Sequence, residues 1–139
     1  MSINWKWIEN KGLGPISIGS NISKYIKSLK VERDEASEDS TGWDTYVVPG
    51  NDIYIDVAGE HVVSITAYLE FICDEENIIG MTMTQVEQAL GCAADEAGDA
   101  VEYDDGDVKI PFEYFDLGLQ IWASDGVVTS ATCLSYEDK

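Results

Sequence analysis

Apolar and polar positions along this chain follow two rhythms, one of period two and one near 3.6 residues. Ile53, Ile55 and Val57 alternate with Tyr54 and Asp56, the pattern of a half-buried strand. Val63, Ile65, Ala67 and Leu69 alternate in turn with Ser64, Thr66 and Tyr68, and the Ala58-to-His61 stretch between them reads as a hairpin turn. Thr45 to Val48 forms an earlier strand, closed by Pro49-Gly50-Asn51. The period-two rhythm returns after residue 100. Ala100 to Tyr103 and Val108 to Phe115 flank Asp104-Asp105-Gly106-Asp107, a hairpin signal. Leu119, Ile121 and Ala123 alternate with Gln120 and Trp122, and lead through Ser124-Asp125-Gly126 into Val127, Thr129, Ala131 and Cys133.

The helical rhythm is clearest at Met83, Val86 and Leu90. Thr82 or Thr84 supplies a cap for the first turn, and Gly91 sits where a left-handed C-cap favours glycine. The stretch has an earlier echo in a helix expected near Asn21 to Lys30. Gly19 aligns with Gly80, Ile22 with Met83, Ser23 with Thr84, Tyr25 with Val86, and Leu29 with Leu90. Ile3, Trp5 and Trp7 form a lead-in strand, Lys11 to Pro15 a turn, and Glu32 to Gly42 an acidic loop or helix tail.

These elements predict one α+β domain over residues 1–139. It is built from two tandem helix–strand–strand–strand repeats, about 12–73 and 74–139, forming a curved antiparallel sheet with helices on one face. The penultimate strands match at an offset of 66 and the last strands at 64, so the second turn is expected to be two residues shorter. An even difference keeps each side chain on its own face. Opposite the apolar set then lie Tyr54, Asp56, Tyr68 and Trp122, with Ser64, Thr66 and Gln120. Aromatics beside acids on an open sheet compose a binding surface; the other reading makes Trp122 and Tyr68 a minor core between the halves.

Charge sharpens the picture. The net charge is −19, and from Asp34 onward 25 acids face only Lys109 and Lys139. Such a field repels nucleic-acid phosphates and anionic lipids and attracts cationic partners. Two acidic runs are candidate contacts: Asp34, Glu35, Glu38 and Asp39, and then Glu102, Asp104, Asp105 and Asp107. Cys73, Cys92 and Cys133 each sit among apolar or small residues and read as small buried hydrophobes in a reducing compartment. The N-terminus shows no basic region followed by an apolar run, so a cytoplasmic address is expected.

Catalytic patterns are missing from the sequence. His61, the sole histidine, falls in a predicted turn; no nucleophile elbow, phosphate loop or dinucleotide fingerprint occurs, and no His/Cys set has zinc spacing. Asp104-Asp105-Gly106-Asp107 lacks the ligands and closing Glu of a calcium loop. The expectation is a protein that is not an enzyme and uses no metal or cofactor.

Gly80-Met81-Thr82-x-x-Gln85-Val86-x-x-x-Leu90-Gly91 resembles the signature of the small outer-membrane assembly lipoproteins. Their helix-plus-sheet fold is also duplicated in the β-lactamase inhibitory proteins. The sequence departs from the lipoproteins in having no signal peptide or lipidation cysteine, and from the secreted inhibitors in having no evident disulfide pairs. In overall character it resembles bacterial immunity proteins of contact-dependent growth inhibition. That resemblance implies a protein ligand, a cognate basic toxin such as a nuclease, blocked by occlusion without a cofactor; a monomer with no nucleic-acid or membrane partner is the accompanying expectation. The alternative expectation is a small-molecule or peptide-binding module using the open sheet face.

Overall fold

Most residues that the period-two rhythm sends inward are sealed in the core. Ile53, Ile55, Ile65, Ala67, Leu119, Ile121 and Ala131 are all 0% exposed. Burying each large aliphatic side chain contributes roughly 1.5–3 kcal/mol, which makes this apolar face the main driving force for the fold. The computed structural model describes residues 5–9, 11–33, 44–73 and 75–134. The acidic run Asp34, Glu35, Glu38 and Asp39 lies outside the described residues.

The chain begins with three short strands, β1 (Trp7–Ile8), β2 (Gly12–Leu13) and β3 (Ile16–Ser17), paired in that order. Helix α1 (Ser23–Ile26) follows, then β4 (Glu32–Arg33), β5 (Asp44–Val48), β6 (Ile53–Ala58) and β7 (His61–Ala67). A small pair, β8 (Ile72–Cys73) and β9 (Glu76–Asn77), leads into helix α2 (Met83–Leu90). The chain then forms β10 (Glu96–Ala97), β11 (Val101–Glu102), β12 (Val108–Tyr114), β13 (Leu119–Ser124) and β14 (Val127–Leu134). The main sheet has nine strands in the order β10-β12-β13-β14-β7-β6-β5-β4, with β11 also on β12. The fold is therefore α+β, dominated by antiparallel sheet.

Helix α2 follows its sequence signals closely. Thr82 is the N-cap: its hydroxyl accepts from the Gln85 amide, and the Gln85 side chain accepts from the Thr82 amide. Gly91 ends the helix at φ 79°, a conformation only glycine adopts without strain. Helix α1 is much shorter than the expected Asn21-to-Lys30 span. Lys24, Lys27 and Lys30 repel one another at helical spacing, and Lys30 itself turns left-handed at φ 56°. Tyr25 from α1 and Val86 from α2 join the same core as the inward residues of the sheet.

Corresponding backbone contacts occur where each helix meets the sheet. The Gly19 amide donates to the Val62 carbonyl at 2.8 Å and the Gly80 amide to Val128 at 2.9 Å. The Ile22 amide donates to Glu60 at 2.9 Å and the Met83 amide to Gly126 at 3.0 Å. Between the helical segments, β7 pairs with β14, and Thr66 sits directly opposite Thr132.

The hairpins correct the expected register. Both have two-residue turns, because Ala58 pairs with His61 and Ser124 with Val127. Each then carries a bulge: Asp56 pairs with Ser64 but Val57 with Val62, and Trp122 pairs with Ser130 but Ala123 with Val128. The last strands thus correspond at 66, the offset of the strands before them, and the second turn is not shorter. The extra residue also exchanges faces at the start of each strand. Val62 and Val128 are the inward residues, while Val127 is 37% exposed. Leu69, assigned inward by alternation, lies beyond the end of β7 and is 55% exposed.

Cys73 and Cys133 are buried as expected, but Cys92 is exposed, because it lies just past the end of α2. Burial pushes the Cys133 thiol up to about 12. Among the described residues, no helix is long and apolar enough to cross a membrane.

Candidate binding site on the open sheet face

Strand pairing lays the outward side chains in rows across the sheet. Gln120, Thr132, Thr66 and Tyr54 are successive partners on β13, β14, β7 and β6. A second row runs from Leu134 through Ser64 and Asp56 to Thr45. Trp122 stands opposite Ser130 on β14. Successive strands are spaced about 4.8 Å apart, so these residues form one continuous surface although they come from positions far apart in sequence.

Hydrogen bonds fix most of that surface before any ligand arrives. The Thr66 and Thr132 hydroxyls meet at 2.8 Å. Asp56 is held at both oxygens, by the Ser64 hydroxyl at 2.8 Å and the Thr45 hydroxyl at 3.0 Å. The Trp122 indole N–H donates to Gln120 Oε1 at 2.9 Å, and Gln120 Nε2 donates to Glu113 at 2.7 Å. Tyr54 packs edge-on against Tyr68, with ring centroids 5.5 Å apart. The Tyr68 phenol is raised above its ordinary pKa, first by burial and then by the neighbouring Tyr54, Tyr103, Asp56 and Asp52.

A pocket of about 700 Å³ opens on this face. Its walls include Tyr68, Tyr103 and Trp122, with Asp56 and Lys109 as the charged groups and Ser64, Thr66, Ser130 and Thr132 among the hydroxyls. Tyr54 does not line it; with Asp52 and Tyr68 it borders a shallower depression of about 310 Å³. Three of the four predicted sheet-face residues, Asp56, Tyr68 and Trp122, are thus brought together. Tyr68 is 43% exposed, and neither Tyr68 nor Trp122 is buried as a second core would require.

The second acidic run borders the same place. Glu102 ends β11, and Asp104, Asp105 and Asp107 form the turn into β12. The turn is closed by Tyr103 N–H donating to the Asp107 carbonyl at 2.8 Å and by Asp105 Oδ1 accepting from the Asp107 amide at 2.9 Å. These interactions make Asp104 to Asp107 a closed turn between β11 and β12. Glu102, Asp104 and Asp105 point into solvent; Asp107 turns inward, accepting from the Ser124 hydroxyl and standing 3.9 Å from Lys109 Nζ.

Sequence reasoning missed Tyr103 and Lys109. The sequence pattern places Tyr103 only at the end of a strand and Lys109 only as a rare base. Val101 pairs with Lys109, which sets Tyr103, two residues on, along the same outward face. The pairing is confirmed in side-chain placement by Lys109 Nζ lying 5.0 Å from the Tyr103 ring centroid. His61 is exposed, with Nδ1 3.0 Å from the Gly59 carbonyl.

No known protein family matches this chain, and no curated protein matches it. Among solved structures, it is similar to a cysteine-rich secretory protein from Staphylococcus aureus, at 15% identity and a TM-score of 0.48. The similarity covers 86% of this chain but 43% of the other, so the chain spans less than half the length of that protein.

Proposed function

We propose that this protein is a cytoplasmic acidic inhibitor of the immunity type, one that neutralises a basic protein toxin by receiving a projecting basic loop on its open sheet face. A single observation carries the reading: Tyr103, from the acidic turn, lines the same pocket as Tyr68, Trp122 and Asp56 on the sheet. Tyr103 thus links the acidic turn that follows it to the aromatic sheet face, and this supports reading the two as one contact surface. The charge of −19 would speed encounter with a basic partner, and the aromatic walls would slow its release. We further propose that the scaffold is a duplicated unit. The matched helix–sheet hydrogen bonds and the equal bulges support this, and the pocket then straddles the junction of the two halves at Thr66 and Thr132.

The test is co-expression with the product of the adjacent reading frame, reading growth and complex formation together. Growth should be protected, and association should slow about tenfold or more as salt rises from ~50 to ~300 mM. A Tyr68→Ala/Trp122→Ala variant that keeps its fold should lose at least about tenfold in affinity, as expected for aromatic anchors at the centre of an interface. A complex indifferent to both changes would sink the proposal.

The pocket also favours one alternative. Its volume of about 700 Å³ lies within the roughly 300–1,000 Å³ range of small-molecule sites. A small-molecule or peptide module would carry a ligand through native mass spectrometry and bind it with little dependence on salt.

A further inference from the structure

The pocket contains a cation of its own. Lys109 is the only lysine or arginine between Arg33 and Lys139, in a chain whose acids dominate that whole interval. Chance placement among so many exposed acids would leave it on the surface. Instead its side chain is 24% exposed, with Nζ 5.0 Å from the Tyr103 ring centroid and 3.9 Å from Asp107 Oδ2. Neither partner holds it tightly. The ion pair is long, and a cation over an aromatic ring at a partly exposed site is a weak attachment.

Asp56, which lines the same pocket, is arranged differently. Both carboxylate oxygens accept one hydroxyl, from Ser64 and from Thr45, and no ion pair to Asp56 occurs among the described residues. A carboxylate has about four acceptor positions, so two remain for an incoming donor. The hydroxyls orient the group without neutralising it. Tyr68, Tyr103 and Trp122 line the same pocket as Asp56 and Lys109, and aromatic rings attract cations.

We propose that this pocket is a subsite for one arginine side chain of the basic partner, and that Lys109 is the internal cation holding its place until that arginine arrives. The proposal rests on the inhibitor reading and names the group that the pocket receives. Arginine fits better than lysine because its planar guanidinium both stacks on aromatic rings and presents a fork of donors to a carboxylate. Its binding would set the guanidinium among the aromatics with donors toward Asp56. Lys109 would swing outward toward Asp104 and Asp105, where the exposed acids of the turn receive it. Like charges cannot share the pocket comfortably, so Lys109 lowers affinity for free cations and reserves the site for an arginine presented by a complementary surface.

The experiment uses the full chain and two small probes, N-acetylarginine methylamide and N-acetylglutamate methylamide. Binding is followed by the Trp122 indole N–H resonance, assigned with Trp122→Phe. The arginine probe should bind weakly to the native protein and about fivefold more tightly to Lys109→Gln, in line with removing one nearby like charge. Adding Asp56→Asn to Lys109→Gln should cost about tenfold, as the loss of a charge-assisted hydrogen bond does. The glutamate probe should leave the resonance unmoved. Glutamate binding that disappears in Lys109→Gln would overturn the proposal, making Lys109 an anion receptor. Absence of arginine binding in both the native protein and a folded Lys109→Gln would overturn it as well. A partner complex that still forms alongside either result removes this subsite alone and leaves the inhibitor reading intact.

Discussion

Tyr114 is 1% exposed, and its hydroxyl has no hydrogen-bond partner among the described residues. An orphaned buried polar group costs about 1–3 kcal/mol, so Tyr114→Phe should stabilise the protein by about 1 kcal/mol, read from the urea midpoint at pH 8. A destabilised variant would mean that the hydroxyl is satisfied. Burial, with smaller contributions from Glu87, Cys92 and Asp95, pushes the Tyr114 phenol up to about 12 from 10.0. The unfolded chain therefore ionises first. The phenol's contribution is intact below pH 10 and is lost as pH rises through about 12. Cys133 acts in the same direction from 9.0 to about 12. Stability should thus fall on the alkaline side, and Tyr114→Phe should lessen the fall without abolishing it. The sequence places Tyr114 in a strand but says nothing of its hydroxyl's surroundings, since those are contributed by other elements.

Among the elements, α2 is the one most fully written in the sequence. Capping, periodicity and termination all agree over a few adjacent residues, and local agreement needs no tertiary information. The sequence leaves Thr82 and Thr84 both open as caps; Gln85, three residues after Thr82, decides between them by completing a reciprocal pair. Thr82→Ala should cost about 1 kcal/mol, whereas exposed Thr84→Ala should stay within about 0.5 kcal/mol, measured by chemical denaturation. Equal losses would contradict the assignment. The bulges were not legible, and the reason is specific. Val62-Val63 and Val127-Val128 are pairs of identical apolar residues, so alternation alone does not say which member points inward. Only the pairing across the hairpin settles it.

For the whole molecule, a charge of −19 is set against two ion pairs among the described residues, Arg33–Asp44 at 2.7 Å and Lys109–Asp107 at 3.9 Å. The net charge leaves self-repulsion in the free protein. Raising NaCl from ~10 to ~300 mM should screen it and raise the melting temperature by roughly 2–5 °C, as followed by circular dichroism. A fall with salt would show that local ion pairs outweigh the repulsion. The same salt should slow association with a basic partner, so stability and encounter rate respond in opposite directions.

By itself the sequence determined the alternating strands, the inward residues at their centres, the capped second helix and the acidic field. Each follows from neighbours within a few positions or from composition. It also placed Asp56, Tyr68 and Trp122 on a shared outward face, because period-two parity survives any even change of turn length. Tertiary structure decided the rest. That β14 lies beside β7 brings Ser130 and Thr132 next to Thr66, and that β11 folds onto β12 brings Tyr103 and Lys109 to the same pocket. Strand order is chosen by the packing of the whole apolar face, a long-range balance that no local run of residues encodes.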